Sequence, residues 1–249
     1  MFTQTDYDKL RQIMEESPEK KELLSRLLHT HRMEVSSISH ELRNPLTLVY
    51  STLQLIEARH PEVLTYEHWE AMRCDIEYMN QLLQELSVYN NSELLTTKRI
   101  HTQSFLKSLV LSFAASLTDT DIEFTSHIEA DLPDICGDCV KLRQVLLNLL
   151  GNARDAVSSD LDFSKKRPMI TFHARIKDNR LLITIKDNGC GILPEQTDSI
   201  FEPFVTYKKN GTGLGLAISH RIAAAHGGRL TVSSDPDTAT EFTLSLPVQ

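Results

Sequence analysis

His40 lies in a stretch whose spacing could support chemistry on a histidine side chain. Apolar residues recur every three or four positions from Val35 to Ile56, which predicts an amphipathic helix with His40 on its outer face. Glu41 follows directly, and Asn44 lies one turn further along. A neutral imidazole nitrogen can attack phosphorus when a carboxylate takes or orients the proton on the other nitrogen. A surface histidine is more often only solvated, so both interpretations stay open on these residues alone.

Two asparagines form a second candidate group. Asn148 and Asn152 are four positions apart in a predicted helix over 140–157, so their amides project from one face, with Asp155 close to it. Amide oxygens suit magnesium, which prefers oxygen ligands and usually keeps several waters and substrate phosphates. The same amides are also ordinary surface groups, and the pattern alone does not choose between the two interpretations.

Two glycine-containing segments complete the candidates. Asp187 opens the run DNGCGI directly after a predicted strand, and the run NGTGLGL at 210–216 opens a helix. An acid at a strand end can hydrogen-bond a base, and a glycine-rich backbone before a helix N-terminus suits phosphate. Each motif is weak alone, since D-N-G usually marks a turn. The dinucleotide fingerprint and the G-x-x-x-x-G-K-[ST] loop are absent from the sequence, which excludes the commonest glycine-rich nucleotide sites.

The first half of the chain must position His40. The stripe from Val35 to Ile56 breaks before Pro61, and a second stripe runs from Trp69 to Leu86. Two long helices with a short connection predict an antiparallel hairpin, which buries its apolar stripes by pairing with a second copy in a four-helix bundle. We therefore expect a homodimer. Pro45 favours a bend just after the histidine.

From about residue 98 the pattern changes to short β-branched segments that alternate with helical ones. A hairpin turn is expected at 177–180. Mixed strands and helices predict an α+β layer sandwich. The expected strands lie at 122–128, 170–176, 181–185, 229–233 and 241–246, and the expected helices at 105–117, 140–157 and 214–225.

Composition narrows the classes of function. The net charge of −8 argues against a nucleic-acid binder, which would carry a basic face. No stretch approaches the roughly 18 apolar residues that span a bilayer, and the N-terminus lacks a signal-peptide pattern. We expect a cytoplasmic chain without a membrane segment, whose sensor lies in a missing region or in a partner protein. Cys136 and Cys139 form a C-x-x-C pair without a second pair, so buried or incidental thiols are expected.

The stretch SHELRNPLT at 39–47 resembles the phospho-acceptor box of sensor histidine kinases. The resemblance implies that His40 accepts the phosphoryl group and that Glu41 is its neighbouring acid. It implies that Asn44 occupies the position linked to dephosphorylating the partner, and hence a phosphatase activity. It also implies a receiver domain of a response regulator as partner.

The asparagine and glycine motifs, in their order, resemble the ATP-binding domain shared by histidine kinases, the Hsp90 chaperone, type II topoisomerases and MutL-type repair proteins. The run FEPF at 201–204 looks like the phenylalanine box of the kinases. The resemblance implies ATP and Mg2+ as cofactors, Asn152 as the magnesium ligand with support from Asn148, and Asp187 as the adenine-binding acid. The residues assigned to the nucleotide on this basis are Asn148, Asn152, Asp155, Asp187, Gly189, Gly191, Phe201, Lys208, Lys209, Gly211, Thr212, Gly213, Leu214 and Gly215.

The resemblance covers about residues 30–249 and implies ATP-dependent autophosphorylation of His40 followed by transfer to an aspartate of a response regulator. We expect a helical lead-in at 1–30, a dimerisation and phosphotransfer domain at 31–92 and an ATP-binding domain at 98–249. Two alternatives stay open. A phosphotransfer or phosphatase protein with a vestigial ATP site is disfavoured by the intact boxes. An ATP-gated chaperone or repair-type ATPase is disfavoured by the phenylalanine box and the hairpin.

Overall fold

The computed structural model describes residues 13, 17–159, 167–208, 211–236 and 238–248. They form two compact units, one that ends at Asn91 and one that begins at Ser92. Lys209 and much of the expected lead-in at 1–30 lie outside the described residues.

The first unit is a helical hairpin. Helix α1 runs over Pro18–Arg59, a 3-10 turn over Pro61–Thr65 and helix α2 over Trp69–Asn90. Pro18 occupies the first helical turn, where a missing N–H and a fixed φ are tolerated. The helix continues through Pro45 and ends just before Pro61, as predicted. It also passes residue 30 without a break, so the expected lead-in and hairpin share one helix.

The two helices of the hairpin meet along part of the predicted apolar stripes. Leu53 and Ile76 are buried between them, and Tyr50 Oη donates a 3.1 Å hydrogen bond to Glu77 Oε1. Several other apolar members of the stripe remain about half exposed in the single chain, where the predicted pairing with a second copy would cover them. Those members are Ile38, Leu42, Val49, Met72 and Met79.

The second unit is a two-layer α/β sandwich, as predicted. Its described elements are β1 Lys98–Ile100, α3 Thr102–Ala115, β2 Glu123–Ile128, β3 Ile135–Gly137, α4 Cys139–Ser159, β4 Met169–Lys177, β5 Arg180–Asp187, α5 Pro194–Thr197, α6 Gly215–Ala225, β6 Arg229–Asp235 and β7 Ala239–Pro247. A five-stranded sheet has the order β2-β4-β5-β7-β6 and is parallel only between β2 and β4, and β1 pairs with β3 apart from it.

The core lies between one face of the sheet and three helices. Alternate residues such as Phe172 and Ile185 are fully buried, where α3 packs on β2, α4 on β4 and β5, and α6 on β6 and β7. The opposite face carries hydroxyl groups such as that of Thr184. The β4–β5 turn has positive φ at Asp178 and Asn179 (49° and 57°), the conformation that such residues tolerate in tight hairpins.

The thiols of the C-x-x-C pair are free and exposed at both Cys136 and Cys139. Of the two expected states, buried or incidental, exposure excludes the first. Across the described ranges, no group of three or more His, Cys, Asp or Glu side chains is placed to hold a metal ion. None of the described helices combines the length and the apolar character of a membrane span.

Candidate nucleotide site and phospho-acceptor helix

Burial of Ser39 sets the direction of the histidine. Ser39 is 1% exposed and its Oγ donates a 2.8 Å hydrogen bond to the Val35 carbonyl. Because successive helical residues turn by about 100°, His40 then faces solvent, and Glu41 and Asn44 are exposed as well. Glu41 Oε1 accepts a 3.4 Å hydrogen bond from Ser37 Oγ. The three residues predicted to act together therefore share an accessible part of α1.

Helix α4 is fixed at its start by Asp138. One carboxylate oxygen accepts the N–H groups of Val140 and Lys141, both at 3.1 Å, and the other accepts that of Thr96 at 2.9 Å. Burial of this carboxyl opposes its ionisation, but these hydrogen bonds and the Lys141 charge hold the pKa of Asp138 below its usual value. These hydrogen bonds fix the N-terminus of α4, and with it the positions of Asn148 and Asn152 further along the helix.

His226 joins the start of α4 to the end of α6. Its Nε2 accepts the Asp138 N–H at 2.9 Å, and its Nδ1 lies 2.8 Å from the Ile222 carbonyl, to which it donates. Accepting at one nitrogen and donating at the other is the pattern of a neutral imidazole. Sequence reasoning did not single out this residue.

Asn148 is held by the N-terminal half of α6. Its Nδ2 donates to Ser219 Oγ at 2.9 Å, and Ser219 Oγ donates to the Gly215 carbonyl at 2.9 Å. A Cβ at Gly215 would lie 2.6 Å from Asn148 Oδ1, so only glycine allows this approach. Ser219 was missed by sequence reasoning, although it stands four residues after Gly215 on an otherwise buried apolar face of α6.

Asn152 and Asp155 converge on one cation. Lys208 Nζ lies 2.9 Å from Asn152 Oδ1 and 2.8 Å from Asp155 Oδ2, and the Lys208 and Asp155 side chains are about half exposed. The structure therefore brings these three sequence-predicted residues together. The donor set fits magnesium, because it consists of an amide and a carboxylate oxygen that already accept a positive charge.

Asp187 is a buried acid at the end of β5. It is 3% exposed and accepts the Gly189 N–H at 3.0 Å. Burial raises its pKa to about 6, against the opposing effects of that hydrogen bond and of the Lys208 charge. A Cβ at Gly189 would lie 2.5 Å from the Ala156 carbonyl carbon, so the segment packs directly on α4. The following Gly191 has φ 75°.

The glycine segment folds tightly before α6. Gly213 has φ 71°, its carbonyl accepts the Phe204 N–H at 3.0 Å, and a Cβ there would meet the Phe204 carbonyl carbon at 2.5 Å. Thr212 is 8% exposed and Leu214 is fully buried. Thr212 Oγ1 accepts the Leu214 N–H at 3.3 Å. These contacts hold the backbone that leads into α6.

Gly211 and Phe201 are placed at the edges of this group. The Gly211 N–H donates to the Lys208 carbonyl at 3.2 Å. The Phe201 ring centre lies 5.2 Å from that of His220 on α6, so the two rings are in contact. Lys209, which was also assigned to the nucleotide, lies outside the described residues.

Two family models match the chain in this order. Residues 30–94 match the "His Kinase A (phospho-acceptor) domain", and residues 137–249 match the "Histidine kinase-, DNA gyrase B-, and HSP90-like ATPase". The chain belongs to the sensor histidine kinases. The match to the phospho-acceptor domain disfavours the chaperone or repair-type alternative, and nothing supports the vestigial-site alternative.

Three named proteins are similar to this chain. The Escherichia coli K12 "Signal transduction histidine-protein kinase AtoS" is 31% identical over 215 residues, covering 86% of this chain and 34% of that protein. The "Sensor histidine kinase ZraS" of the same strain is 29% identical over 97% of this chain and 50% of that protein. The structure of "ShkA full-length in complex with AMPPNP" has a TM-score of 0.70 at 26% identity, covering 86% of this chain and 45% of that one. The chain thus spans between a third and about half the length of these three proteins.

Proposed function

We propose that the chain uses ATP to phosphorylate its own His40 and passes the phosphoryl group to an aspartate of a response regulator. The observation that carries the proposal is that one chain holds an exposed histidine beside a carboxylate and a separate set of oxygen donors, buried acid and glycine backbone suited to a nucleotide. In this proposal residues 31–92 dimerise and carry the histidine, and residues 98–249 bind ATP. We also place this core in the cytoplasm, where ATP is available.

The reaction would be an in-line displacement at the γ-phosphorus. An imidazole nitrogen of His40 forms the new bond to phosphorus, the bond to the oxygen that bridges to the β-phosphate breaks, and ADP leaves with that electron pair. Glu41 orients or takes the proton on the other imidazole nitrogen. The exposure of His40 suits this role, since the nitrogen must be reached by ATP and later by a regulator.

Residues of the second unit would hold the nucleotide. The Asp187 carboxylate accepts a hydrogen bond from the amino group of adenine, and the backbone around Gly213 and the start of α6 binds phosphates. Asn152 holds magnesium with support from Asn148, and Asp155 adds a carboxylate oxygen beside them. Bound magnesium would neutralise charge on the phosphates.

The exposed apolar face of the hairpin supports a homodimer. Leu42 and Val49 are about half exposed in the single chain, and a second copy would cover them in a four-helix bundle. Light scattering on the purified chain is expected to give twice the 28.3 kDa chain mass. A Val49→Glu variant is expected to give the monomer. A monomeric wild type at micromolar concentration would contradict the dimer.

Asn44 supports a phosphatase activity toward the regulator. Its amide is exposed one helical turn after His40, where it could orient a water molecule toward a phosphoaspartate held at the same surface. An Asn44→Ala variant is expected to keep autophosphorylation and to lose dephosphorylation of phosphorylated receiver domains. Equal dephosphorylation by wild type and variant would remove Asn44 from that role.

Incubation with γ-labelled ATP and magnesium tests the main proposal. Wild type is expected to take up label that is stable in alkali and lost in acid, and His40→Gln is expected to take up none. His31→Gln is a matched control, because it alters another exposed histidine of α1. Label that survives in His40→Gln, or a wild type that binds ATP without taking up label, would contradict the assignment of His40.

A further inference from the structure

Lys208 makes direct contact with two of the oxygen atoms assigned to the metal site. Its Nζ lies 2.9 Å from Asn152 Oδ1 and 2.8 Å from Asp155 Oδ2. An ammonium group is a compact positive charge with three hydrogen-bond donors. It therefore satisfies the lone pairs and the charge of these oxygens in the way that a metal ion would.

We propose that the Lys208 ammonium group occupies the candidate magnesium position in the nucleotide-free chain, and that metal binding exchanges this internal cation for an external one. The inference rests on the function proposed above for Asn152 and Asp155. It adds that Lys208 competes with the metal for the same oxygen atoms.

The backbone of Lys208 is held in place while its side chain can move. The Lys208 N–H donates to Thr206 Oγ1 at 3.2 Å, and the Lys208 carbonyl accepts the Gly211 N–H at 3.2 Å. A Cβ at Gly211 would collide with Thr206 Oγ1, so this local arrangement needs glycine. Exchange of cations then requires only rotation of the four-carbon lysine stem.

The contact is weak enough to be exchanged. The Lys208 and Asp155 side chains are 48% and 50% exposed, and an exposed ion pair changes an equilibrium constant by only about two- to fivefold. A divalent cation brings twice the charge and can take the amide and carboxylate oxygens together with water and phosphate oxygens. The released ammonium group is then available to a phosphate.

The exchange also keeps positive charge near the buried acid. The Lys208 charge opposes the rise that burial causes in the pKa of Asp187. When the ammonium group leaves and a metal ion arrives, the Asp187 carboxylate keeps a cation in its surroundings. The cation held by Asn152 and Asp155 therefore links the metal end of the nucleotide site electrostatically to Asp187 at its adenine end.

Manganese binding in the absence of nucleotide tests the competition. Mn2+ accepts the same oxygen ligands as Mg2+, and its free concentration can be followed by electron paramagnetic resonance. For the full chain, Lys208→Met is expected to bind Mn2+ about two- to fivefold more tightly than wild type, because the competing cation is gone. Lys177→Met is the charge-matched control, since Lys177 is exposed at the end of β4. Equal or weaker binding by Lys208→Met, or an equal gain in Lys177→Met, would overturn the proposal.

Amine reactivity gives a second, independent readout. Acetylation by N-hydroxysuccinimidyl acetate, followed by mass spectrometry of the wild-type chain, is expected to modify Lys208 faster when Mn2+ is added, whereas the rate at Lys177 stays unchanged. A Lys208 rate that does not rise would contradict displacement.

The proposed function can fail separately. If wild type does not bind the ATP analogue AMPPNP with magnesium, the nucleotide assignment fails, while the two manganese experiments still decide the role of Lys208. If wild type binds AMPPNP but Lys208→Met leaves manganese affinity unchanged, only the cation exchange is wrong.

Discussion

Replacing Asp187 with asparagine is expected to stabilise the fold and to abolish nucleotide binding. Asp187 is 3% exposed, and burial raises its pKa from 3.8 to about 6. Where the group is ionised in both states, this difference costs the folded chain about 3 kcal/mol. Asparagine has nearly the same shape and carries no charge, and its Oδ1 can still accept the Gly189 N–H. Binding is lost because an amide accepts more weakly from the adenine amino group and adds a donor.

The raised pKa fixes the sign of the pH dependence. Below pH 3.8 the carboxyl is protonated in both the folded and the unfolded chain, so it carries no penalty. Between pH 3.8 and about 6 the unfolded chain loses its proton first, and the penalty grows until it levels off above the folded value. The stability gained by Asp187→Asn is therefore about 3 kcal/mol at pH 7.5 and about half of that at pH 5.

Thermal unfolding of the full chain, followed by circular dichroism at both pH values, measures the gain. About 3 kcal/mol corresponds to a rise in melting temperature of roughly 6–12 °C for a domain of this size class. Asp121→Asn, which alters an exposed carboxylate, is the control and is expected to change little. Calorimetric titration with AMPPNP follows binding. A lower melting temperature for Asp187→Asn at pH 7.5, an equal gain at both pH values, or retained AMPPNP binding would refute the reasoning.

Three further substitutions test how α4 and α6 form the site. Gly215→Ala is expected to weaken AMPPNP binding at least tenfold, because its Cβ would lie 2.6 Å from Asn148 Oδ1 and displace the amide; calorimetry that shows unchanged affinity would contradict this. Gly151→Ala is its matched control in α4, since a Cβ there meets nothing within 4 Å. Urea unfolding of this variant is expected to show a free energy of unfolding about 1 kcal/mol higher, and its AMPPNP affinity is expected to be unchanged. Ser219→Ala leaves the Asn148 Nδ2 without its 2.9 Å partner. This loss is expected to destabilise the fold by about 1–3 kcal/mol and to weaken magnesium–AMPPNP binding. If neither stability nor binding falls, Ser219 does not hold Asn148 in the site.

Long, strongly patterned elements could be predicted from the sequence. The hairpin helices and the five strands of the main sheet were predicted because their apolar periodicity extends over enough residues to separate a helix from a strand. Strands β1 and β3 have three residues each and α5 has four, which is too short for such a pattern. Ile100 and Ile135 show why β1 and β3 exist, since they are directly paired and both buried. That pairing depends on contacts between residues far apart in sequence.

The candidate site was predicted residue by residue only where a motif marked it. Asn152, Asp155 and Lys208 were each named, yet their convergence on one position is a property of the fold, because 53 residues separate the last two. Ser219 and His226 were missed since a lone serine in an apolar helix, or a lone histidine directly after it, carries no pattern. Their roles come from hydrogen-bond partners that are distant in sequence.

The two hydrogen-bonded links between α4 and α6 make these helices a rigid frame. One link joins Asn148 to Ser219 in the first turns of α6, and the other joins Asp138 to His226 at its end. Ten residues along α4 and seven along α6 separate the links, which corresponds to about 15 Å and 10 Å of helix. The two helices are therefore joined at two points that lie well apart along their axes. Two such links resist both sliding and rotation of one helix against the other. Deformation on ligand binding should therefore be concentrated in the described connecting residues 188–208 and 211–214. Amide hydrogen exchange would then report slow, ligand-independent exchange within the frame and ligand-dependent exchange outside it.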